Sequence, residues 1–314
     1  MTGETDPEGD GGATDRSPLD VANPDEPADD YSLTELLAVT AAREIDDGEM
    51  AFIGVGMSLI SGVLAKYTHA PRCQLVTESG YVGSRPPGVV QSISDSVLGV
   101  DSLVATDQMQ IFVDNQRGLF DVGIIGAGQI DKYGNTNSTV VTGAEGTYEN
   151  PKVRLPGSGG SNDIMTSCGR TIVMMRQRAR AFTSELDYVT APGYLDGPGA
   201  REEFGFPGGG PETVITDMAV FGFDEATKEM FLRSTHPGID VEEVREMVQW
   251  DLNVADDVGT TPVPTRREVA MLRTIDPTDT VLRDTDRIYE IEFDEWADTM
   301  ERNWKRLMQM EDDE

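Results

Sequence analysis

Met50-Ala51-Phe52-Ile53-Gly54-Val55-Gly56 is an apolar run that ends in glycines, and Gln74-Leu75-Val76-Thr77-Glu78-Ser79-Gly80 is a second one further along. Each is short enough for a buried strand, and the stretch between them, 58–67, is helix-like in composition. Strand, glycine-rich turn, helix, strand is the rhythm of an α/β fold with a parallel sheet. Outward from this unit, the apolar runs Val122–Ala127, Thr171–Met175, Tyr188–Thr190 and Val214–Val220 continue the strand pattern. Turns rich in glycine, such as Gly134-Asn135, Gly157–Gly160 and Gly208–Gly210, separate them. Upstream, Ser32-Leu33-Thr34-Glu35 has the form of a capping box, with Leu33, Leu36, Leu37, Ala41 and Ile45 at helical spacing behind it. That predicts a helix from Ser32 to about Asp47-Gly48.

Charge removes several function classes. The 314 residues include 57 acids and 25 bases, a net charge of −32 at pH 7. Nucleic acid and anionic membranes both require a positive face, so neither is expected as a partner. No run of 18 apolar residues occurs to span a membrane, and the N-terminus has no apolar segment of the kind found in signal peptides. Cys73 and Cys168 are the only cysteines and lack CxxC spacing, which fits a reducing compartment. His69 and His236 cannot form a His-rich metal site, so no metal is expected. A cytoplasmic protein is the reading that remains. The acid excess, with only five Lys beside 20 Arg, also fits a halophilic cytoplasm, where salt screens self-repulsion.

The charge is also distributed in a way that suggests domain limits. Residues 1–31, rich in Asp, Glu, Gly and Pro, predict a disordered acidic extension. Residues 32–276 are read as one domain. Residues 277–314 form a second acidic extension, in which Ile288, Ile291, Trp296, Met300, Trp304, Leu307 and Met310 outline an amphipathic helix.

The chain has no GxSxG, GxGxxG, HExxH or phosphate-loop lysine motif. What stands out is a carboxylate and glycines at strand ends, where open α/β sheets bind ligands. Glu78 follows a strand and precedes Ser79-Gly80, which puts it at the carboxyl edge of the sheet. Position alone fits equally a surface carboxylate that caps the turn, which is the commoner case. Gly54-Val55-Gly56-Met57-Ser58 and Leu155-Pro156-Gly157-Ser158-Gly159-Gly160-Ser161-Asn162 are either ordinary tight turns or loops presenting N–H groups to an oxyanion. In the segment 126–139, Asn135 is read as a turn residue that satisfies backbone.

Taken in order, Gly54-Val55-Gly56, Lys66–Pro71, Thr77-Glu78-Ser79-Gly80, Gly128–Asp131 with Gly134–Asn137, Gly157–Gly160 and Asp187–Gly193 with Asp196–Gly199 resemble the motifs of class I coenzyme A transferases. The likeness is strongest to B (beta) subunits of the glutaconate CoA-transferase kind and covers about residues 33–276. It implies an open, mostly parallel sheet flanked by helices, of the NagB/RpiA/CoA-transferase type. It implies that Glu78 is a nucleophile that attacks an acyl-CoA and becomes a glutamyl-CoA thioester in a ping-pong reaction. A glutamate, with a reference pKa of about 4.3, needs no general base for this. The resemblance assigns Gly157, Gly159 and Gly160 to oxyanion or CoA contacts, Gly54 and Gly56 to the pocket wall, and Ser58, Gln129, Ser161 and Asn162 to polar contacts. It implies no permanently bound cofactor, coenzyme A entering as acyl-CoA, dicarboxylic or 3-oxo acids as co-substrates, and a separate alpha subunit as partner. Thr77 stands where such enzymes often have Ser. Ring-cleaving hydrolases of the same scaffold lack the glutamate, so Glu78 favours transfer. An acyl-CoA hydrolase or ring-opening enzyme with Glu78 as base, and a noncatalytic scaffold subunit, are the alternatives.

Overall fold

Side chains along β1 (Met50–Ile53) alternate between two buried layers: Ala51 and Ile53 enter one apolar cluster and Phe52 the other. A strand covered on both faces must be apolar at every position, which is why its sequence is a continuous run rather than an alternation. The computed structural model describes residues 21–90, 92–277, 279, 281–282, 298, 301–302, 304–305 and 307. Chain order begins α1 (Leu33–Ala42), β1, α2 (Met57–Tyr67), β2 (Gln74–Val76), β3 (Tyr81–Ser84), β4 (Val104–Ala105), α3 (Gln108–Gln116) and β5 (Val122–Gly126). Next come the short strands β6 (Gln129–Ile130), β7 (Thr136–Asn137), β8 (Val140–Val141) and β9 (Val153–Arg154), then α4 (Ser161–Ser167) and β10 (Arg170–Met174). The last elements are α5 (Ala200–Phe204), β11 (Pro211–Ile215), β12 (Ala219–Phe223), β13 (Met230–Thr235), α6 (Val241–Glu246), β14 (Asn253–Thr260) and α7 (Arg266–Ile275).

Ten strands form one sheet in the order β14-β13-β12-β11-β10-β5-β1-β2-β3-β4. Its centre, β11-β10-β5-β1-β2, is parallel throughout, and antiparallel pairs join β12 and β13 on one side and β3 and β4 on the other. The α/β, mostly parallel sheet flanked by helices is therefore the architecture the strand runs predict. From β1 the chain goes through α2 to β2 on one side, and returns through β3, β4 and α3 to β5 on the other. Strand order thus reverses at β1 and β5, and the crevice outside their carboxyl ends is where such sheets bind ligands.

Several local expectations change. The Ser32 capping box is present, with Ser32 Oγ accepting from Glu35 N at 3.1 Å and the Glu35 carboxylate accepting from Ser32 N at 2.6 Å. The helix nevertheless stops at Ala42, because Glu44 N and Ile45 N bond back to Ala41 and Ala42 in tighter turns that bury Ile45. The run Val214–Val220 is a hairpin, not one strand: Thr216 Oγ1 accepts from Met218 N and Ala219 N at 3.1 and 3.0 Å and reverses the chain. Tyr188–Thr190 forms no strand; Tyr188 and Val189 are 41% and 50% exposed, and the segment touches β7 only at its end.

Residues 21–31, expected within a disordered extension, lie along the start of α7. Ala28 N donates to Pro264 O at 2.8 Å, Arg266 meets Asp29 at 2.9 Å, and Ala28 is buried. The rest of that extension, 1–20, and most of the expected amphipathic helix over 288–310 lie outside the described residues. Leu307, from that stretch, is buried in the same cluster as α1 and α2.

Candidate active site

Glu78 is held at the tip of a turn closed by its sequence neighbours. Thr77 N donates to Tyr81 O at 3.0 Å, Gly80 N donates to Thr77 O at 3.1 Å, and the Thr77 and Ser79 hydroxyls meet at 2.9 Å. Gly80 has φ +108°, and a Cβ there would collide with the carbonyl of Thr106, whose own N–H donates to Gly80 O at 2.8 Å. Glycine is required at that position on both counts.

The facing wall is the start of α4. This helix sits close to β5 because Gly123 has no side chain; a Cβ there would run into Ile164 and lie 3.0 Å from Cys168 Sγ. Fully buried Asn115 on α3 fixes α4 further, donating to Asp163 O at 2.9 Å and accepting from Cys168 Sγ at 3.2 Å. So placed, Gly160 directs its backbone N–H at the Glu78 carboxylate. Its φ of −86° suits any residue, so the reason for glycine is room. A Cβ would occupy the carboxylate's place and come within 2.8 Å of the Phe112 ring.

Between these walls lies a cleft of about 510 Å³ at the carboxyl ends of β1, β2 and β5, where the strand order reverses. Phe52, Ile53, Ile124, Ile125 and Ile164 make it largely apolar, and Glu78 is the only ionisable side chain that lines it among the described residues. Burial pushes the Glu78 pKa above the usual carboxylate range, and the Gly160 N–H pulls it partly back. Among the described residues, no cation in the cleft wall offsets the loss of water. Other nucleophiles are unsuitable: Cys73 and Cys168 are buried, their thiols pushed up to about 11 and about 12 by desolvation. His236 is buried with its pKa lowered, and its ring nitrogens are taken by Thr261 Oγ1 and Thr216 O. No group of three or more His, Cys, Asp or Glu among the described residues could hold a metal ion.

Of the residues expected at the site, Glu78, Gly54, Gly157, Gly160, Ser58 and Ser161 line this cleft together. Gly157 does so without a free amide, because its N–H donates to Ser138 O at 2.8 Å. Gly56 does not line the cleft; with φ +84° it is the residue that turns the chain into α2. Gly159 is exposed with φ +49° and open space around it, and exposed Asn162 points no further than the Ser158 hydroxyl at 3.4 Å. Gln129 is buried away from the cleft, donating to Asp187 at 2.8 Å and accepting from Asn137 at 2.7 Å. Asn135 is the turn residue expected, binding Asp131, Gly193 N and Leu195 N. Sequence reasoning gave no role to Ser138, Ala127 and Leu155, which line the cleft, or to Phe112, which packs beside Gly160.

Known proteins are similar to this chain over most of its length. The family model for coenzyme A transferase matches residues 34–247. The B (beta) chain of 3-oxoadipate CoA-transferase from Pseudomonas knackmussii is 36% identical over 248 residues, which is 78% of this chain and 94% of that protein. The corresponding chain of glutaconate CoA-transferase from Acidaminococcus fermentans is 38% identical over 236 residues, 73% of this chain and 86% of that protein. The crystal structure of glutaconate coenzyme A-transferase from the same organism superposes with a TM-score of 0.76 at 34% identity, covering 82% of this chain and 100% of that chain. The chain belongs to the coenzyme A transferase family. Within that family it is a CoA-transferase subunit of the B type. No helix among the described residues is long and apolar enough to cross a membrane.

Proposed function

We propose that this B-type subunit, together with a separate alpha subunit, moves coenzyme A from an acyl-CoA to a free dicarboxylic or 3-oxo acid through a glutamyl-CoA thioester on Glu78. The observation that carries the reading is a partly buried carboxylate in an apolar cleft, with a backbone N–H and, among the described residues, no cation as its partner. Removing hydration from a carboxylate strengthens it as a nucleophile, and the tight turn holds it in place for attack.

In the first step a Glu78 oxygen bonds to the thioester carbon and the C–S bond breaks, releasing the CoA thiolate and leaving a mixed anhydride. The thiolate then attacks the glutamyl carbon, the substrate acid departs as carboxylate, and Glu78 carries coenzyme A. An incoming carboxylate reverses both steps. Attack on the glutamyl carbon puts negative charge on an oxygen that Gly160 N–H already faces, and one such donor is worth about 10²-fold or more. The Gly160 N–H therefore serves the attack on the glutamyl carbon, which is the second attack of the first half-reaction and the first attack of the reverse one.

Among the described residues the cleft wall holds no cation, which is the reason to assign the alpha subunit a share in meeting the charges of coenzyme A and of the co-substrate. That both relatives are B-type chains of CoA-transferases supports the same pairing. The setting we infer is a salt-rich cytoplasm, on the net charge of −32. There, dilution to about 0.01 M salt, where the Debye length reaches about 30 Å, lowers the unfolding temperature. Stability unchanged on dilution would remove that part of the proposal.

The test of the reaction is acceptor dependence. With the complex purified, thioester disappearance should require a free carboxylic acid, and Glu78→Ala should abolish it. Release of free acid and coenzyme A without an acceptor would identify a hydrolase instead, and full exchange by Glu78→Ala would remove Glu78 from the chemistry.

A further inference from the structure

Four serines line the cleft, and they divide into two pairs. Ser58 Oγ donates to Val55 O at 3.5 Å and Ser158 Oγ to Gly159 O at 2.8 Å, so both are occupied within their own loops. Ser138 Oγ and Ser161 Oγ are shut off from bulk water and have no hydrogen-bond partner among the described residues. Ser161 is 8% exposed. A buried hydroxyl without a partner loses its hydration and gains nothing, and folded proteins rarely keep one without a use. The two belong to separate elements, the turn after β7 and the first turn of α4, joined by the bond from Gly157 N to Ser138 O. In a wall that is otherwise mostly apolar side chains and glycines around Glu78, they are the hydroxyls left free to donate.

We infer that Ser138 and Ser161 are specificity-determining residues, whose hydroxyls donate to an oxygen on the acyl chain beyond the reacting carboxyl. This assignment deepens, and depends on, the Glu78 reaction proposed above. The Glu78 carboxylate already has the Gly160 N–H beside it, which leaves these two hydroxyls as the wall's donors for the acyl chain. Neutral hydroxyl donors suit a 3-oxo group or one oxygen of a second carboxylate, and they offer nothing to a plain alkyl chain. An acid without that oxygen leaves both hydroxyls buried and unpaired, and sites built to bond a polar substrate group discriminate strongly against analogues that lack it.

The experiment uses the two-subunit complex and acceptor acids matched in length, 3-oxobutanoate with butanoate and pentanedioate with pentanoate. The native enzyme should prefer the oxygen-bearing member of at least one pair by about 10²-fold or more in kcat/KM. In Ser138→Ala/Ser161→Ala that preference should shrink to within a few fold, through a higher KM for the oxygen-bearing acid. Each single variant should fall between. Because alanine removes an unsatisfied group, the unfolding temperature of the variants should hold or rise by about 2 °C. A preference unchanged in the double variant overturns the assignment, as does a fall in unfolding temperature with selectivity intact, which marks the hydroxyls as structural. Glu78→Ala in the same assay separates the two levels. If it retains transfer, the reaction itself is wrong; if it loses transfer while the double serine variant keeps its selectivity, only the serine assignment fails.

Discussion

One cleft of about 510 Å³ holds Glu78, and another of similar volume among the described residues holds Glu35; both carboxylates are at least partly buried. The second lies between residues 30–35, α7 and residues 276–282. There, burial of Glu35 is outweighed by Arg273, whose Nε donates at 2.7 Å, and by Ser32 N, so its pKa falls below the usual value. Glu78 has similar desolvation and a single N–H, and its pKa rises. Asp276, in the same second cleft, is fully buried and accepts from Val281 N and Leu282 N at 2.7 and 3.0 Å. The difference is one of completion. In the second cleft the carboxylates are paired and hold segments of chain together, whereas in the first a carboxylate and two hydroxyls are left with capacity for something that binds.

The sharpest way to break this contrast is Glu78→Gln. Transfer should fall by about 10⁴-fold or more, as loss of a covalent nucleophile does. Its effect on stability should have the opposite sign. A carboxylate whose folded pKa is raised contributes stability below its unfolded pKa and loses it as pH rises through the folded value, so the uncharged amide should be equally or more stable at pH 7. Thermal unfolding across pH 4–8 checks this, and a destabilised Glu78→Gln would place Glu78 with Glu35.

Gly160→Ala should come next. The added methyl needs the space of the Glu78 carboxylate and presses on Phe112, so the carboxylate must turn away from the Gly160 N–H. A loss of about 10²-fold in kcat/KM is expected. Full activity would mean that this N–H has no part in the reaction.

Arg273→Ala addresses the second cleft. It should lower stability by about 1 kcal/mol, a modest figure because the arginine is 46% exposed in its side chain, and should leave transfer unchanged. Glu35 has a lowered folded pKa, so its stabilising share is present above the unfolded carboxylate pKa and is lost as pH falls through the folded one. In Arg273→Ala that acid loss should begin at higher pH, which acid titration followed by circular dichroism would show. The smallest effect is expected from alkylation by iodoacetamide at pH 7.5. Buried thiols raised to about 11 and about 12 should leave Cys73 and Cys168 unmodified in the native protein, by peptide mass, with activity intact.

Those features that depend on neighbours along the chain were legible in the sequence. Both-face burial makes β1 and β5 continuous apolar runs and the later residues of β2 and β10 apolar, and the Ser32 capping box is written in four residues. Glu78 could be placed at the edge of the sheet because the turn that carries it, Thr77 to Gly80, is local. The reversal inside Val214–Val220 was hidden in a threonine hydroxyl that competes with strand extension. Nothing in the local sequence shows that Gly123 seats α4, that the Gly157 amide is taken by Ser138, or that Gln129 turns to Asp187 instead of the cleft. Those depend on which residues meet across the fold, and glycine looks the same in sequence whether it supplies an amide, a positive φ or room for a neighbour.

The most direct test of the central claim is mass spectrometry of the two-subunit complex after incubation with acyl-CoA, followed by peptide mapping. A coenzyme A adduct on the peptide that contains Glu78, discharged by added carboxylic acid and absent from Glu78→Ala, is the predicted result. Acceptor-dependent transfer at full rate with no adduct on that peptide, or with the adduct on another residue, would contradict it.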